Sequence, residues 1–532
     1  MVAERNSSGL RVLIFATVAL VLFLAVILSG FIPGLTPGGQ EGDEPDGIAD
    51  AGHDEHGEQD GFIPDPAQCL SWPVPKVALI LSGDQHGFIE PCGCTENQSG
   101  GLSRRGNLIK QLHDLKWKTV GLDLGGLVRR DRLQSQLKFR TLLASLKDLN
   151  YKAIGFGAED IRLGPDYLLS QHTPEDPKSI AYLSANVTFY DSDDLGTPAR
   201  TKTFEEGGLR FGVTSVLGKS QEPDLKQVRD VKVSDPVEAI QAALETLKAP
   251  DVDVRILLSH GTMSEGKKLA ARFPEFDIVL TTGEAEDPDG KPMVVDNERR
   301  QLILDVGKKG KHTAVLGIYP DSNPTYRFEL IQLDRVRFKD TQKMVDHMQA
   351  YQDQLKQQQI MIAESPVGHP SGASFVGSNA CAECHEEEYD IWKKTPHASA
   401  FLSLDPKNER HGFQRLKGVS RLFDPECVCC HVTGWNPEDV YRYRSGYIAK
   451  KFAANAEEIN ASKILKGVGC ENCHGPGSQH IELANEGEDE QAAKLMRYTK
   501  EQANTNEGCY KCHDLDNSPN FEFEKYWPKI AH

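Results

Sequence analysis

Cys381-Ala-Glu-Cys384-His385, Cys427-Val-Cys429-Cys430-His431, Cys470-Glu-Asn-Cys473-His474 and Cys509-Tyr-Lys-Cys512-His513 repeat one pattern, Cys-x-x-Cys-His. Two intervening residues bring both thiols to one edge of a porphyrin, where they add across its vinyl groups, and the adjacent His then meets the iron. This is the attachment pattern of a c-type haem. Chance yields one copy in about 10⁵ positions, so four copies between 381 and 513 are not accidental. A zinc site needs no His after every cysteine pair, and a disulfide framework would not repeat the spacing. The expected cofactors are therefore four covalently attached c-type haems. Of the twelve cysteines, this leaves Cys69, Cys92, Cys94 and Cys429 unassigned.

The four motif histidines each supply one axial ligand, and the candidates for the opposite faces are His397, His411, His480 and His532. Two imidazoles on one iron make a low-spin centre suited to moving electrons, whereas a single imidazole leaves a position for a small molecule. Counting leaves open whether four sites are closed or three.

Outward from the motifs, the chain divides into a multidomain plan. Residues 12–32 carry no charge and would make a helix of about 32 Å, the thickness of a bilayer core. Arg5 and Arg11 precede this run and acidic sequence follows it, so residues 1–35 are expected to be a transmembrane anchor with the N-terminus in the cytoplasm. No Ala-x-Ala cleavage site follows. The bulk of the chain would then lie in the periplasm or another extracytoplasmic space, on the outer side of the cytoplasmic membrane. Residues 36–72 are rich in Gly, Pro and acid, the composition of a flexible linker. The formal charge of −18 argues against nucleic acid as a partner. It favours redox partner proteins with basic faces, quinone-linked membrane complexes among them.

Residues 73–338 alternate short apolar runs with amphipathic stretches. Strands are predicted at 77–81, 119–123, 153–155, 211–215, 254–258, 278–280 and 302–306, with helices over 104–116 and 136–149, an α/β pattern. Residues 339–374 hold a Gln-rich helix, about 341–361, and a Gly/Ser/Pro linker. Residues 375–532 read as short helices and loops, a mainly α domain in which porphyrins form much of the interior.

The flanks of the motifs carry a resemblance. Val376-Gly-Ser-Asn-Ala-Cys381, Trp392, Thr395-Pro-His397-Ala, Cys430-His431-Val-Thr-Gly434 and Gly467-Val-Gly-Cys470 through Gly477 with His480 resemble the tetrahaem cytochrome c-554 family over about 375–532. In that family three haems have two histidines and the second has one. The resemblance implies His480 opposite His385, His397 opposite His474, His532 opposite His513, and an open haem at His431 unless His411 closes it. It implies electron transfer between redox partners.

A second resemblance covers about 75–335. Ser82-Gly-Asp84-Gln-His86-Gly after a strand, Gly100-Gly-Leu-Ser-Arg-Arg opening a helix and Ser259-His260-Gly after another strand resemble the 5′-nucleotidase branch of the metallophosphoesterases. That fold is a sandwich of two sheets flanked by helices, with two divalent metals clamping phosphate at the strand ends. Here the family's bridging Asp falls at Gly126, its Asn-His pair near Ala158 and Glu159, and its late Gly-His-x-His at Gly283-Glu284-Ala-Glu286. Asp84, His86 and His260 remain, so the site is expected to be decayed, with Glu284 and Glu286 left to hold at most one metal. Cys92 and Cys94 follow in the same loop. They would form a disulfide, Cys69 being one available partner, or complete a mixed site with Asp84, His86 and His260 for one divalent metal.

The expected function is a membrane-anchored electron carrier with the phosphoesterase-like domain as a docking module. The alternatives are an oxidoreductase acting on a small nitrogen or sulfur compound at the His431 haem, and a metal-dependent phosphoesterase.

Overall fold

The computed structural model describes residues 65–532 except 92–97, 173–178, 193–194, 196, 249–250, 284, 296–299 and 409–415. The apolar run 12–32, Cys92, Cys94, Glu284 and His411 lie outside the described residues. Among those described, no helix is long and apolar enough to cross a membrane.

Strand β1 (Val77–Ser82) is buried along its whole length. It pairs in parallel with β2 (Thr119–Asp123), which leads through β3 (Tyr151–Ile154) to β4 (Ala181–Tyr182). On its other side β1 meets β13 (His312–Ile318) and then β14 (Tyr326–Gln332), both antiparallel. A second sheet runs β11 (Met293–Val294), β12 (Leu302–Asp305), β10 (Ile278–Thr281), β9 (Val254–His260), β7 (Leu209–Leu217) and β6 (Lys202–Glu206). Strands β5 (Val187–Phe189) and β8 (Val231–Val233) form a separate antiparallel pair. Continuous Val/Leu/Ile runs suit strands covered on both faces. Leu79, Leu81, Val120, Phe211, Ile256 and Leu280 fill the layer between the sheets.

Helices α1 (Leu102–Asp114) and α2 (Leu133–Asp148) cover the first sheet. Helices α3 (Pro236–Leu247) and α4 (Met263–Arg272) cover the second. The result is four layers, helix, sheet, sheet, helix. The C-terminal ends of β1, β2, β3 and β9 converge, as in α/β folds whose functional groups gather at that edge. Helix α5 (Gln342–Gln357) is not a free connector: Met344, Met348, Tyr351 and Leu355 are buried in the same core as α1 and α2. The Gly/Ser/Pro stretch after it is also packed, with Val367 bridging to Tyr443 and the His369 ring set edge-on to Phe375 and tilted against Tyr443.

The C-terminal region has a small core of Val428, Val432, Trp435, Tyr447, Ile448 and Leu465. Helix α6 (Glu386–Lys393) has no buried residue. Helix α7 (Pro425–His431) carries the second motif, followed by α8 (Ala456–Ile464), α9 (Ser478–Asn485) and α10 (Asp489–Met496). Helix α9 also has no buried residue. Helices that leave their side chains partly uncovered by protein gain stability where something else covers them, and porphyrin rings are of the right size and polarity.

The two folded regions meet around α7. Asp424, its N-cap, is buried and accepts hydrogen bonds from Gln134 Nε2 and Gln352 Nε2, both at 2.7 Å. Lys138 of α2 pairs with Glu426. Arg421 and Lys417 pair with Glu90 at 2.5 and 3.3 Å, and Lys309 reaches Asp516 at 2.6 Å.

Candidate functional site

The three candidate distal histidines within the described residues, His397, His480 and His532, each face a motif histidine. Ring centroids are 6.1 Å apart for His385 and His480, 6.0 Å for His397 and His513, and 5.8 Å for His474 and His532. Two metal–nitrogen bonds of about 2 Å plus about 1.1 Å from each nitrogen to its ring centre require about 6 Å. The residues present therefore fit an iron between each pair. His480 stands where the resemblance implies. The other two are exchanged: His397 faces His513, and His532 faces His474. Backbone contacts explain the difference. Val468 N donates to His397 O at 2.9 Å, and Trp392 Nε1 to Val468 O at 2.8 Å. This lays the Thr395–His397 turn along the approach to the third motif while its ring points toward the fourth.

The tautomers follow from the other ring nitrogen. Nδ1 of His474 lies 2.6 Å from Met496 O, and that of His431 lies 2.8 Å from Ala400 O. His480 Nδ1 is 2.9 Å from Ala492 O and His532 Nδ1 is 3.0 Å from Ile530 O. A carbonyl only accepts, so each Nδ1 carries the proton and Nε2 is left for a metal. These acceptors carry no sequence signature. Met496 and Ala492 lie on α10, which packs against the α9 helix bearing His480.

The cysteines show how the motifs neighbour one another. The Cys381 side chain neighbours that of Cys470, and the Cys430 side chain neighbours that of Cys512. Lys511 Nζ reaches Asn472 O at 2.9 Å, joining the fourth motif to the third. In space the order is thus first, third, fourth, second. Two residues inside the third motif hold this arrangement, and sequence reasoning passes over both. The buried Glu471 carboxylate accepts from Val376 N, Gly377 N and Gly477 N at 2.8–2.9 Å. Asn472 donates to Val432 O at 3.0 Å, just beyond the second motif, and accepts from Thr433 Oγ1 at 2.8 Å. Cys429 is buried, its Sγ 3.4 Å from Glu426 O, and has the environment of an inert core thiol.

At the strand ends of the N-terminal region, Asp84 Oδ1 and His260 Nε2 are hydrogen-bonded at 2.9 Å, with His86 Nε2 4.0 Å from the same oxygen. Gly126 closes over them with φ +71°. A Cβ there would stand 2.5 Å from Asp84 Oδ1 and 3.1 Å from His260 Nε2. The side chain that would bridge two metals is absent at the place the resemblance assigns to it, and its space is closed. Asp160 accepts from Gly126 N and Gly157 N at 2.7 and 3.1 Å and holds that turn. Glu286 is paired with Lys309 and, at 2.9 Å, with Lys311, so it is a surface-network carboxylate and not a ligand. Among the described residues, no group of three or more His, Cys, Asp or Glu side chains is arranged to hold a metal. Cys92, Cys94 and Glu284, the other candidate ligands, lie outside the described residues. Cys69 is a buried free thiol whose N–H donates to Glu329, and does not form the disulfide considered for it.

Burial alone would depress the His260 imidazole, but the Asp84 carboxylate overrides it and pushes it up to about 9. The same contact holds Asp84 below the usual carboxylate range against its own burial. A raised His contributes stability below its unfolded value of 6.5 and loses it as pH rises through about 9. A depressed Asp contributes above 3.8 and loses it on acidification. The pair should therefore stabilise the domain most between those unfolded values. Urea unfolding of the wild type is expected to weaken by about 1–3 kcal/mol between pH 6 and pH 9.5, with the slope flattened in His260→Gln. Equal slopes would refute the ion pair.

Comparison with known proteins finds likenesses for both regions. Residues 380–475 match the family described as Cytochrome c554 and c-prime. Cytochrome c-554 of Nitrosomonas europaea is 34% identical over 108 residues, 20% of this chain and 40% of that protein. An apyrase of Aedes aegypti is 23% identical over 276 residues, 46% of this chain and 49% of that protein. The chain thus spans half or less of the curated relatives it matches. Among solved structures, a 5′-nucleotidase precursor from Thermus thermophilus has TM-score 0.44 and 22% identity, covering 55% of this chain and 60% of that one. The NAD nucleotidase of Haemophilus influenzae has TM-score 0.43 and 17% identity, covering 63% and 68%. Residues 380–475 are thus similar to a c-type cytochrome family.

Proposed function

We propose that the chain is a membrane-anchored, exported tetrahaem electron carrier that passes electrons between redox partner proteins. The observation that carries this reading is the set of three imidazole pairs at 5.8–6.1 Å. A c-type haem, when bound, supplies an iron that changes oxidation state by one electron. The chain's own residues do the rest. Paired imidazoles exclude other ligands from three sites, carbonyls fix the tautomers, and the thiol contacts bring the four motifs into one continuous row.

The N-terminal domain acts in this reading as a scaffold. Its strand-end site has a hydrogen bond where a metal pair would sit, and Gln134, Lys138 and Glu90 grip the segment that carries the second motif. Placement outside the cytoplasmic membrane rests on the 12–32 run and on the chemistry of covalent haem attachment. An acidic carrier of this charge docks partners that present basic faces.

The test is a pyridine haemochrome count with low-temperature EPR of the oxidised full chain. Four haems per chain, with at least three low-spin ferric signals, are expected. Fewer than three low-spin signals at full haem content would sink the reading.

A further inference from the structure

The three imidazole-paired sites differ in what their Nδ1 protons meet. In the His474/His532 pair both rings donate to backbone carbonyls, at 2.6 and 3.0 Å. In the His385/His480 pair His480 donates to Ala492 O at 2.9 Å, and among the described residues no acceptor stands at His385. In the His397/His513 pair the contact is of another kind. His513 Nδ1 lies 3.0 Å from the hydroxyl of Ser518, and among the described residues His397 has no acceptor. The Ser518 hydroxyl is held in place from its own backbone, with Ser518 N donating to Asp514 O at 2.8 Å and Phe521 N to Ser518 O at 2.9 Å. Phe521 stacks on the His513 ring at 4.5 Å and 14°, which fixes the plane of the imidazole.

An acceptor at Nδ1 draws the proton away from the ring and makes Nε2 a stronger electron donor, which favours the oxidised metal. A carbonyl dipole does this more strongly than a hydroxyl, and two acceptors more than one. Resting on the electron-carrier reading above, the geometry points to Ser518 as a positioning residue with a defined output. It makes the His397/His513 site the highest in reduction potential of the three, while the doubly carbonyl-bonded His474/His532 site is the lowest. In the spatial row the lowest site adjoins the highest, so the third and fourth motifs form the step down which electrons run toward the second motif. The sign depends on the acceptor at Nδ1, the atom that the Ser518 hydroxyl meets.

The experiment is a spectroelectrochemical titration of the full haem-loaded chain, wild type against Ser518→Asp, Ser518→Ala and Ser518→Thr. Haem content and low-spin EPR are measured on each. A carboxylate in place of the hydroxyl should move one of the four potentials down, and Ala should move the same one up. Thr, which keeps the hydroxyl, should restore the wild-type value. In the wild type poised at successive potentials, the low-spin signal that His532→Ala abolishes should be the last to vanish on reduction. Four unmoved potentials in Ser518→Asp at full haem content would overturn the proposal. So would loss of the fourth haem in Ser518→Ala, which would make Ser518 a structural prop, or a shift of the same sign in Asp and Ala. Failure of the underlying carrier reading is separately visible as a low haem count in the wild type.

Discussion

Asp424→Ala should cost the protein about 3–5 kcal/mol of stability, and the loss should be felt at both domains. The carboxylate is buried and accepts from two side-chain amides that come from different parts of the N-terminal region, Gln134 on α2 and Gln352 on α5. It also caps the helix that bears Cys427, Cys430 and His431. Truncation removes one acceptor from each of two buried amides, at about 1–3 kcal/mol each, although Gln134 Nε2 keeps the Tyr351 hydroxyl at 2.9 Å, and it removes a cap worth about 1 kcal/mol. The three terms share one site and will not add fully. Asp424→Asn is the informative comparison, because its amide can satisfy one donor while turning a second donor toward the other. It should fall between wild type and Ala. The measurement is denaturant unfolding followed at once by far-UV circular dichroism and by haem absorbance. In the wild type the two probes should coincide, and in Asp424→Ala the haem signal should change first. Coincident transitions with a loss under about 1 kcal/mol would mean that the contact is incidental.

The second large effect concerns ligand exchange. His532→Ala should convert one low-spin haem into a high-spin one, and that haem should be the one attached at Cys470 and Cys473. His397→Ala should do the same at Cys509 and Cys512. The two assignments are separated by a background in which Cys509 and Cys512 are both Ala, so that the fourth haem is never attached. In that background His532→Ala should still create a high-spin signal, whereas His397→Ala should not. The reverse outcome would restore the pairing implied by family resemblance and refute the ring placements at 6.0 and 5.8 Å.

The legible parts of this molecule are those whose chemistry is local. The attachment motifs can be read because a thioether pair and its histidine are fixed by a span of five residues. Central strands such as β1 and β9 can be read because strands buried on both faces are unbroken apolar runs. Edge strands cannot: Lys-Thr-Phe-Glu-Glu of β6 and Tyr-Arg-Phe-Glu-Leu-Ile-Gln of β14 carry a weak alternation that is only resolved by their neighbours. Gly126 can be placed by comparison of motifs, and the structure locates it against Asp84 and His260. The distal pairing is not legible, since which way the His397 ring turns is set by contacts with Val468 and the fourth motif. Backbone acceptors such as Met496 O and Ala492 O are invisible in any sequence, because every residue has a carbonyl.

The spatial row of motifs has a bearing on how this region can be taken apart. Along the chain the motifs run first to fourth, but the fourth sits between the third and the second. Removing the last segment would therefore not yield a shorter wire. It would yield a two-haem fragment and a stranded single haem, with His532 and the Ser518 hydroxyl lost as well. The family match ends at residue 475, so the splice that joins the two halves is supplied by sequence beyond it. Natural shortening or engineering of this region is thus all or nothing at its C-terminal end, whereas the first and second motifs, at the two outer ends of the row, are the ones whose loss leaves the rest of the row unbroken.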